Sequence, residues 1–154
     1  MIRKATLQDL PEIIKLLEYI LGLHHEFRPD LYKEKGSKYS ILELKEKLDC
    51  GELLIWVAEI NNQVVGHLIA KFIDEKETLN TYPHKSLYVD DLCVHPDYQH
   101  QHLGHELLKQ AKEFALLNNC YNMTLHVTKE NEKAIRFYTK EGFGVQSYTM
   151  EEIL

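Results

Sequence analysis

Near residue 86 the apolar pattern of this chain changes character. Before it, Leu53-Leu54-Ile55-Trp56-Val57-Ala58 and Val64 to Ile73 are strand-like runs separated by Asn61-Asn62, the pattern of a hairpin. After it, strand and helix patterns alternate. Ser86 to Val94 is a strand, and Gly104 to Asn118 is a helix with Leu103, Leu107, Leu108, Ala111, Phe114 and Ala115 on one face. Asn122 to Val127 is a strand, Asn131 to Glu141 a helix ended by Gly142, and Phe143 to Met150 a last strand. Successive strands joined through a helix need a right-handed crossover and at least one parallel pair. The expected fold is therefore a mixed α/β sheet with helices on both faces.

The first third fits around that sheet. Ile2 to Ala5 reads as a short strand. Asp9 is a candidate N-cap, with Pro11 in the first turn of a helix carrying Leu10, Ile13, Ile14, Leu17, Tyr19 and Leu21 and stopped at Gly22. His24 to Ser40 is polar, aromatic and weakly periodic, and reads as a loop, with His24, His25 and His84 on solvated connections. A second helix covers Ile41 to Leu48, with Ser40 as cap and Gly51 as terminator. No repeat or linker interrupts the 154 residues, so residues 1–154 read as one domain.

Charge narrows the function. With 18 basic and 24 acidic residues the formal charge is -6. A nucleic-acid binder needs a basic face, so that class is disfavoured, whereas a cationic substrate suits an acidic cleft. The three cysteines, Cys50, Cys93 and Cys120, follow no disulfide framework and read as small core residues. No signal-peptide pattern opens the chain, and no apolar run approaches the roughly 20 residues that span a bilayer. A cytoplasmic protein acting away from the membrane is expected.

Two stretches carry chemistry. In Val94-His95-Pro96-Asp97-Tyr98-Gln99-His100-Gln101-His102-Leu103-Gly104-His105-Glu106-Leu107-Leu108 a strand ends, the chain turns, and a helix begins. Free N–H groups and the helix dipole make such a junction a candidate pyrophosphate site. In Asn131 to Phe143, Ala134, Phe137 and Tyr138 share one helix face, which offers a small residue for close approach and a phenol.

Together these stretches resemble the GNAT superfamily of N-acetyltransferases. Val94, Pro96, Gln99, Gly104, Leu107 and Leu108 match its acetyl-CoA loop, V-x-P-x-x-R/Q-x-x-G-x-G/A-x-x-L-L. Asn131, Ala134, Phe137, Tyr138, Gly142 and Phe143 match its second signature in full. The resemblance implies a mostly antiparallel, twisted sheet of about six to seven strands. It implies acetyl-CoA as co-substrate, with Leu92, Cys93 and Val94 pairing to the pantetheine arm like an added strand. Gln99 would open the pyrophosphate cradle, which runs through His100, Gln101, His102, Leu103, Gly104 and His105. Asn131, Ala134 and Phe137 would face the cofactor, and Tyr138 would stand near its sulfur.

One departure stands out: His102 occupies the place of the family's first loop glycine. Histidine enters the left-handed region more readily than most residues, but its ring takes up space. Protonated His100, His102 and His105 would then supply charge to the pyrophosphate, tightening coenzyme A binding between about pH 8 and about pH 6.

The implied reaction is direct attack of an amine on the thioester in a ternary complex. The amine must lose a proton first. Asp90 is the candidate base, since relatives often place an acidic residue there; it adjoins Asp91, and strand alternation points the two to opposite faces. His126, on the strand Asn122–Val127, is the runner-up. Tyr138 is the candidate acid for the departing thiolate, and backbone N–H groups of Leu92 to Val94 the oxyanion donors. A thiol intermediate on Cys93 lacks an assignable histidine partner. His100, His102 and His105 lie close, with His95 before them, but a flexible H-x-H-x-x-H on a loop and helix start lacks the fixed tetrahedral geometry of a zinc site, and no metal site is read from it.

By the fold resemblance, Glu26, Asp30, Tyr32 and Tyr39 would line the acceptor groove for an amine-bearing small molecule or peptide. A homodimer would complete a sheet whose last hairpin is short. The alternative reading, prompted by His102, is a non-catalytic acyl-CoA-binding regulatory domain of the same fold.

Overall fold

The computed structural model describes all 154 residues. Its elements run β1 (Ile2–Lys4), α1 (Leu10–Phe27), α2 (Ile41–Asp49), β2 (Leu54–Ile60), β3 (Gln63–Glu75), β4 (His84–Val94), α3 (Leu103–Leu117), β5 (Asn122–Thr124) and α4 (Glu132–Lys140). The strands form one sheet in sequence order. Three pairings are antiparallel; only β4 and β5, joined through α3, are parallel.

Alternation along the strands builds a core on each face. Ile55, Val57, Ile69 and Cys93 pack beneath Ile13, Leu17 and Leu44 of α1 and α2. Trp56, Leu68, Leu87 and Val89 pack against Leu107, Leu108 and Ala111 of α3. The β2–β3 hairpin turns at Asn61 and Asn62, both left-handed at φ 50° and 62°, the conformation that matches strand twist in two-residue hairpins. Ser40 caps α2, accepting from the Glu43 N–H at 3.1 Å while Glu43 accepts from the Ser40 N–H.

The mixed α/β class and the mostly antiparallel sheet agree with the sequence reading, but several boundaries differ. The sheet has five strands, not six or seven. Phe143 to Met150 forms no strand, and residues 144–154 are exposed, tied back by the ion pair of Glu151 with Arg28 at 2.6 Å. α1 continues past Gly22 to Phe27, so His24 and His25 form its last turn. The stop lies at Arg28, because a residue before proline is driven out of the helical region, and Pro29 follows. β5 ends at Thr124, leaving His126 beyond the strand. Cys93 is buried, but Cys50 is exposed at the end of α2 and belongs to no core. No helix is long and apolar enough to cross a membrane.

Candidate active site

The site grows from an irregularity in β4. Ile69 faces Asp91 and Ala70 faces Val89, so Asp90 has no partner residue across the ladder. This bulge puts two residues opposite one and breaks the alternation. Asp90 and Asp91 therefore do not point to opposite faces. Both turn toward the α1–α2 side: Asp90 Oδ2 accepts from the Tyr39 hydroxyl at 2.7 Å and pairs with Lys38 Nζ at 3.0 Å, and Asp91 meets the His67 Nε2. Leu87 and Val89, before the bulge, pack toward α3; Cys93, after it, packs toward α1.

Past the same point the sheet opens. β4 and β5 pair only at Ser86–Asn122, Leu87–Met123 and Tyr88–Thr124. From Val89 to Val94, β4 has a strand neighbour on the β3 side alone. Leu92, Cys93 and Val94 thus border a gap in which an extended chain can find backbone partners.

At the end of this edge lies the turn into α3. His100 and His102 are both left-handed, at φ 65° and 61°. The glycine-like conformation at residue 102 is thus adopted by a histidine, at a cost of about 1–2 kcal/mol. His102 is the N-cap, and the first helical bond is Glu106 N–H to the His102 carbonyl at 3.0 Å. N–H groups of residues 100–105 donate to no backbone or side-chain acceptor. Residues 100–102 are exposed, so these donors and the positive end of a 15-residue helix meet solvent. Gln99 braces the turn, donating to the Val94 carbonyl at 3.2 Å and accepting from Lys133 Nζ at 2.6 Å.

α4 closes the other side. Asn131 caps it, accepting from the Ala134 N–H at 3.1 Å. Its end is a Schellman turn: Gly142 is left-handed at φ 94°, and the Phe143 N–H returns to the Tyr138 carbonyl at 3.0 Å. His105 Nδ1 hydrogen-bonds with Glu141 Oε2 at 2.9 Å, so this ring is engaged at the C-terminal end of α4. Tyr138 is half-buried, edge-on to Phe137 and Phe143, and its hydroxyl makes no hydrogen bond within the chain. Burial, reinforced by Asp91 and Cys93, pushes its phenol well above the ordinary range, so it keeps its proton.

Other sequence candidates sit further out. His126 is exposed, with Nδ1 3.0 Å from the Tyr88 hydroxyl. Burial also raises the Cys93 thiol well above its usual value, and its Sγ contacts the Leu16 carbonyl at 3.7 Å. Glu26 lies on α1 and Tyr39 reaches Asp90, whereas Asp30 is spent on Arg28 at 2.8 Å.

Sequence reasoning missed two residues. His67 sits on β3 with no exposed surface, paired with an Asp91 side chain that is 7% exposed. Its Nδ1 is buried without a partner, a state that costs about 1–3 kcal/mol. His24 stacks on Tyr32 at a centroid distance of 5.0 Å. Burial, aided by Lys38 and opposed by Asp91, holds its imidazole below the ordinary value. In sequence, His67 is one polar residue inside an apolar run; its tie to Asp91 depends on strand register. For His24 the misleading signal was Gly22.

Comparison with known proteins decides the family. The Acetyltransferase (GNAT) family matches residues 20–143. The chain belongs to the GNAT acetyltransferase family. An uncharacterized N-acetyltransferase of Bacillus subtilis is 31% identical over 143 residues, covering 92% of this chain and 88% of that one. A spermidine N(1)-acetyltransferase of Thermoplasma acidophilum is 26% identical over 153 residues, covering 94% and 88%. A human spermidine/spermine N(1)-acetyltransferase-like protein 1 is 28% identical over 154 residues; the match covers 92% of this chain but only 20% of that protein. Among solved structures, a tetramutant of the BH1408 protein of Bacillus halodurans superposes with a TM-score of 0.95 at 21% identity, covering 100% and 99% of the two chains. An aminoglycoside acetyltransferase from a soil metagenome gives 0.75 at 20% identity, covering 100% and 95%. At these identities the structures speak for a GNAT fold.

Proposed function

We propose that this GNAT protein is an N-acetyltransferase that moves an acetyl group from acetyl-CoA to a primary amine of a small molecule or peptide, by direct attack in a ternary complex. The observation that carries the reading is the gap beyond Tyr88, bordered by the free edge of β4, the unpaired N–H groups of residues 100–105 and the unpaired hydroxyl of Tyr138. Each supplies what the reaction needs. The edge offers hydrogen bonds to the pantetheine arm and to the oxyanion, the turn offers an anion site, and the phenol offers a proton.

The balance is simple. An ammonium loses a proton to a base, the free amine attacks the thioester carbonyl, the nitrogen of the adduct gives up a second proton to solvent, and the C–S bond breaks. Tyr138 protonates the departing thiolate and recovers its proton through solvent. Asp90, beside Lys38 and Tyr39, is the acceptor the sequence suggested, with His126 second. The negative charge of the chain and the carboxylates of the bulge suit a cationic acceptor. Relatives named for spermidine make a polyamine the first amine to try.

A homodimer belongs to the same proposal. Val145, Tyr148, Met150 and Ile153 are exposed on a segment without strand partners. Sedimentation of the whole chain should give twice the monomer mass.

The decisive assay follows thiol release from acetyl-CoA with spermidine, a lysine peptide and an aminoglycoside. Turnover with at least one amine is expected. Coenzyme A binding with no turnover on any of them would instead favour the regulatory reading.

A further inference from the structure

His67 is a residue the proposed reaction leaves without a task, yet its position is costly. It lies on β3 directly across from Cys93, on the face beneath α1, with no exposed surface. Its Nε2 meets Asp91 Oδ2, and its Nδ1 meets nothing. An apolar ring would fill the same space without leaving a polar atom stranded. A buried polar group with an unmet valence in a native core calls for a reason other than packing.

Asp91 supplies one. The bulge turns it to the α1–α2 side, within the stretch of β4 from Val89 to Val94 that has no neighbour on its far side. It differs from its neighbour. The Asp90 carboxylate is covered by the Lys38 ammonium and the Tyr39 hydroxyl, whereas Asp91 has no cationic partner from Lys or Arg. Its second oxygen, Oδ1, takes part in no hydrogen bond of the chain. The groups that feel its charge come from every side: His24 on α1, Tyr39 ahead of α2, Cys93 on β4 and Tyr138 on α4. Lys38 stands beyond, on Asp90.

We infer that His67 is a positioning residue for Asp91: its Nε2–H holds Oδ2, so that Oδ1 is fixed toward the amine and receives its proton. This rests on the acetyl-transfer reading above, and moves the proton acceptor from Asp90 to its neighbour. The step balances: the ammonium N–H bond breaks, an O–H bond forms at Oδ1, and the electron pair left on nitrogen attacks the carbonyl. The proton later leaves to solvent. His67 never touches the acceptor. Misaligning a reacting group by about 1 Å can cost about a hundredfold in rate, which is the scale on which such a brace acts.

The experiment uses the intact chain with acetyl-CoA and whichever of the three amines the wild type acetylates. His67→Leu removes the brace, and His67→Gln retains an N–H donor of similar reach. The expected result is a kcat ten- to a hundredfold lower for His67→Leu, unchanged acetyl-CoA affinity by calorimetry, and recovery to within about fivefold for His67→Gln. Asp91→Asn should fall further than Asp90→Asn. A His67→Leu protein with wild-type kcat, or a His67→Gln protein as slow as His67→Leu, overturns the inference. So does Asp90→Asn as the more damaging change. Should His67→Leu fail to fold, His67→Gln and the two asparagine variants still decide. A wild type inert toward all three amines defeats the acetyl-transfer reading itself, a result distinct from active wild type with indifferent variants.

Discussion

Gly104 and Phe137 meet where the two signature stretches touch. A Cβ on residue 104 would stand 3.1 Å from the Phe137 Cζ. The glycine lets the first turn of α3 and the aromatic face of α4 close on each other, which keeps the turn at residues 100–105 and Tyr138 in fixed relation. Gly104→Val should therefore destabilise the fold by about 1–3 kcal/mol through overpacking and weaken acetyl-CoA binding with it. Urea unfolding and calorimetry check the two effects. Gly104→Ala is expected to be milder, because better helix propensity offsets part of the crowding.

Tyr138→Phe tests the proton donor. The hydroxyl has no partner in the chain, so its removal should leave stability within about 0.5 kcal/mol. The acetylation rate should drop about 10²–10⁴-fold with coenzyme A affinity unchanged. An unchanged rate would return Tyr138 to the core.

Cys93 should be silent. Its thiol is buried and held well above its usual value, so little thiolate exists at neutral pH. Alkylation of the native protein at pH 8 should modify exposed Cys50 first and spare Cys93, as peptide mass spectrometry would read. Cys93→Ala should keep turnover within about tenfold, because its loss removes packing and no intermediate. A loss of about 10⁴ or more would argue for an acetyl-thiol step.

Asp9 sets part of the acid stability. It accepts from Arg3 at 2.7 and 2.9 Å and from the Thr6 N–H at 2.7 Å, joining β1 to the start of α1. The Arg3 hydrogen bonds lead the causes that hold its carboxyl below the ordinary value. Unfolded, that carboxyl titrates near about 4. Around this pH the unfolded chain binds more protons than the folded one, so stability rises with pH. The contribution should be complete above about pH 5 and fade as pH falls below about 4. Asp9→Asn should be less stable at pH 7 by about 1–3 kcal/mol and show a shallower acid slope in denaturant titrations. Parallel slopes would remove the carboxyl from that role.

The chain itself determined the order of its elements, the hairpin at Asn61-Asn62, the parallel crossover through α3 and the family, because periodicity, turn residues and two spaced motifs are local properties. Asn131, Ala134, Phe137 and Tyr138 could be placed on one helix because they lie within three turns of it. Tertiary structure decided what depends on neighbours far along the chain. Whether Phe143–Met150 is a strand rests on its finding an edge, and no propensity supplies one. The side to which Asp91 turns rests on a bulge visible only against β3. The pairing of His67 with Asp91 joins residues 24 apart, and register between strands, not composition, brought them into contact.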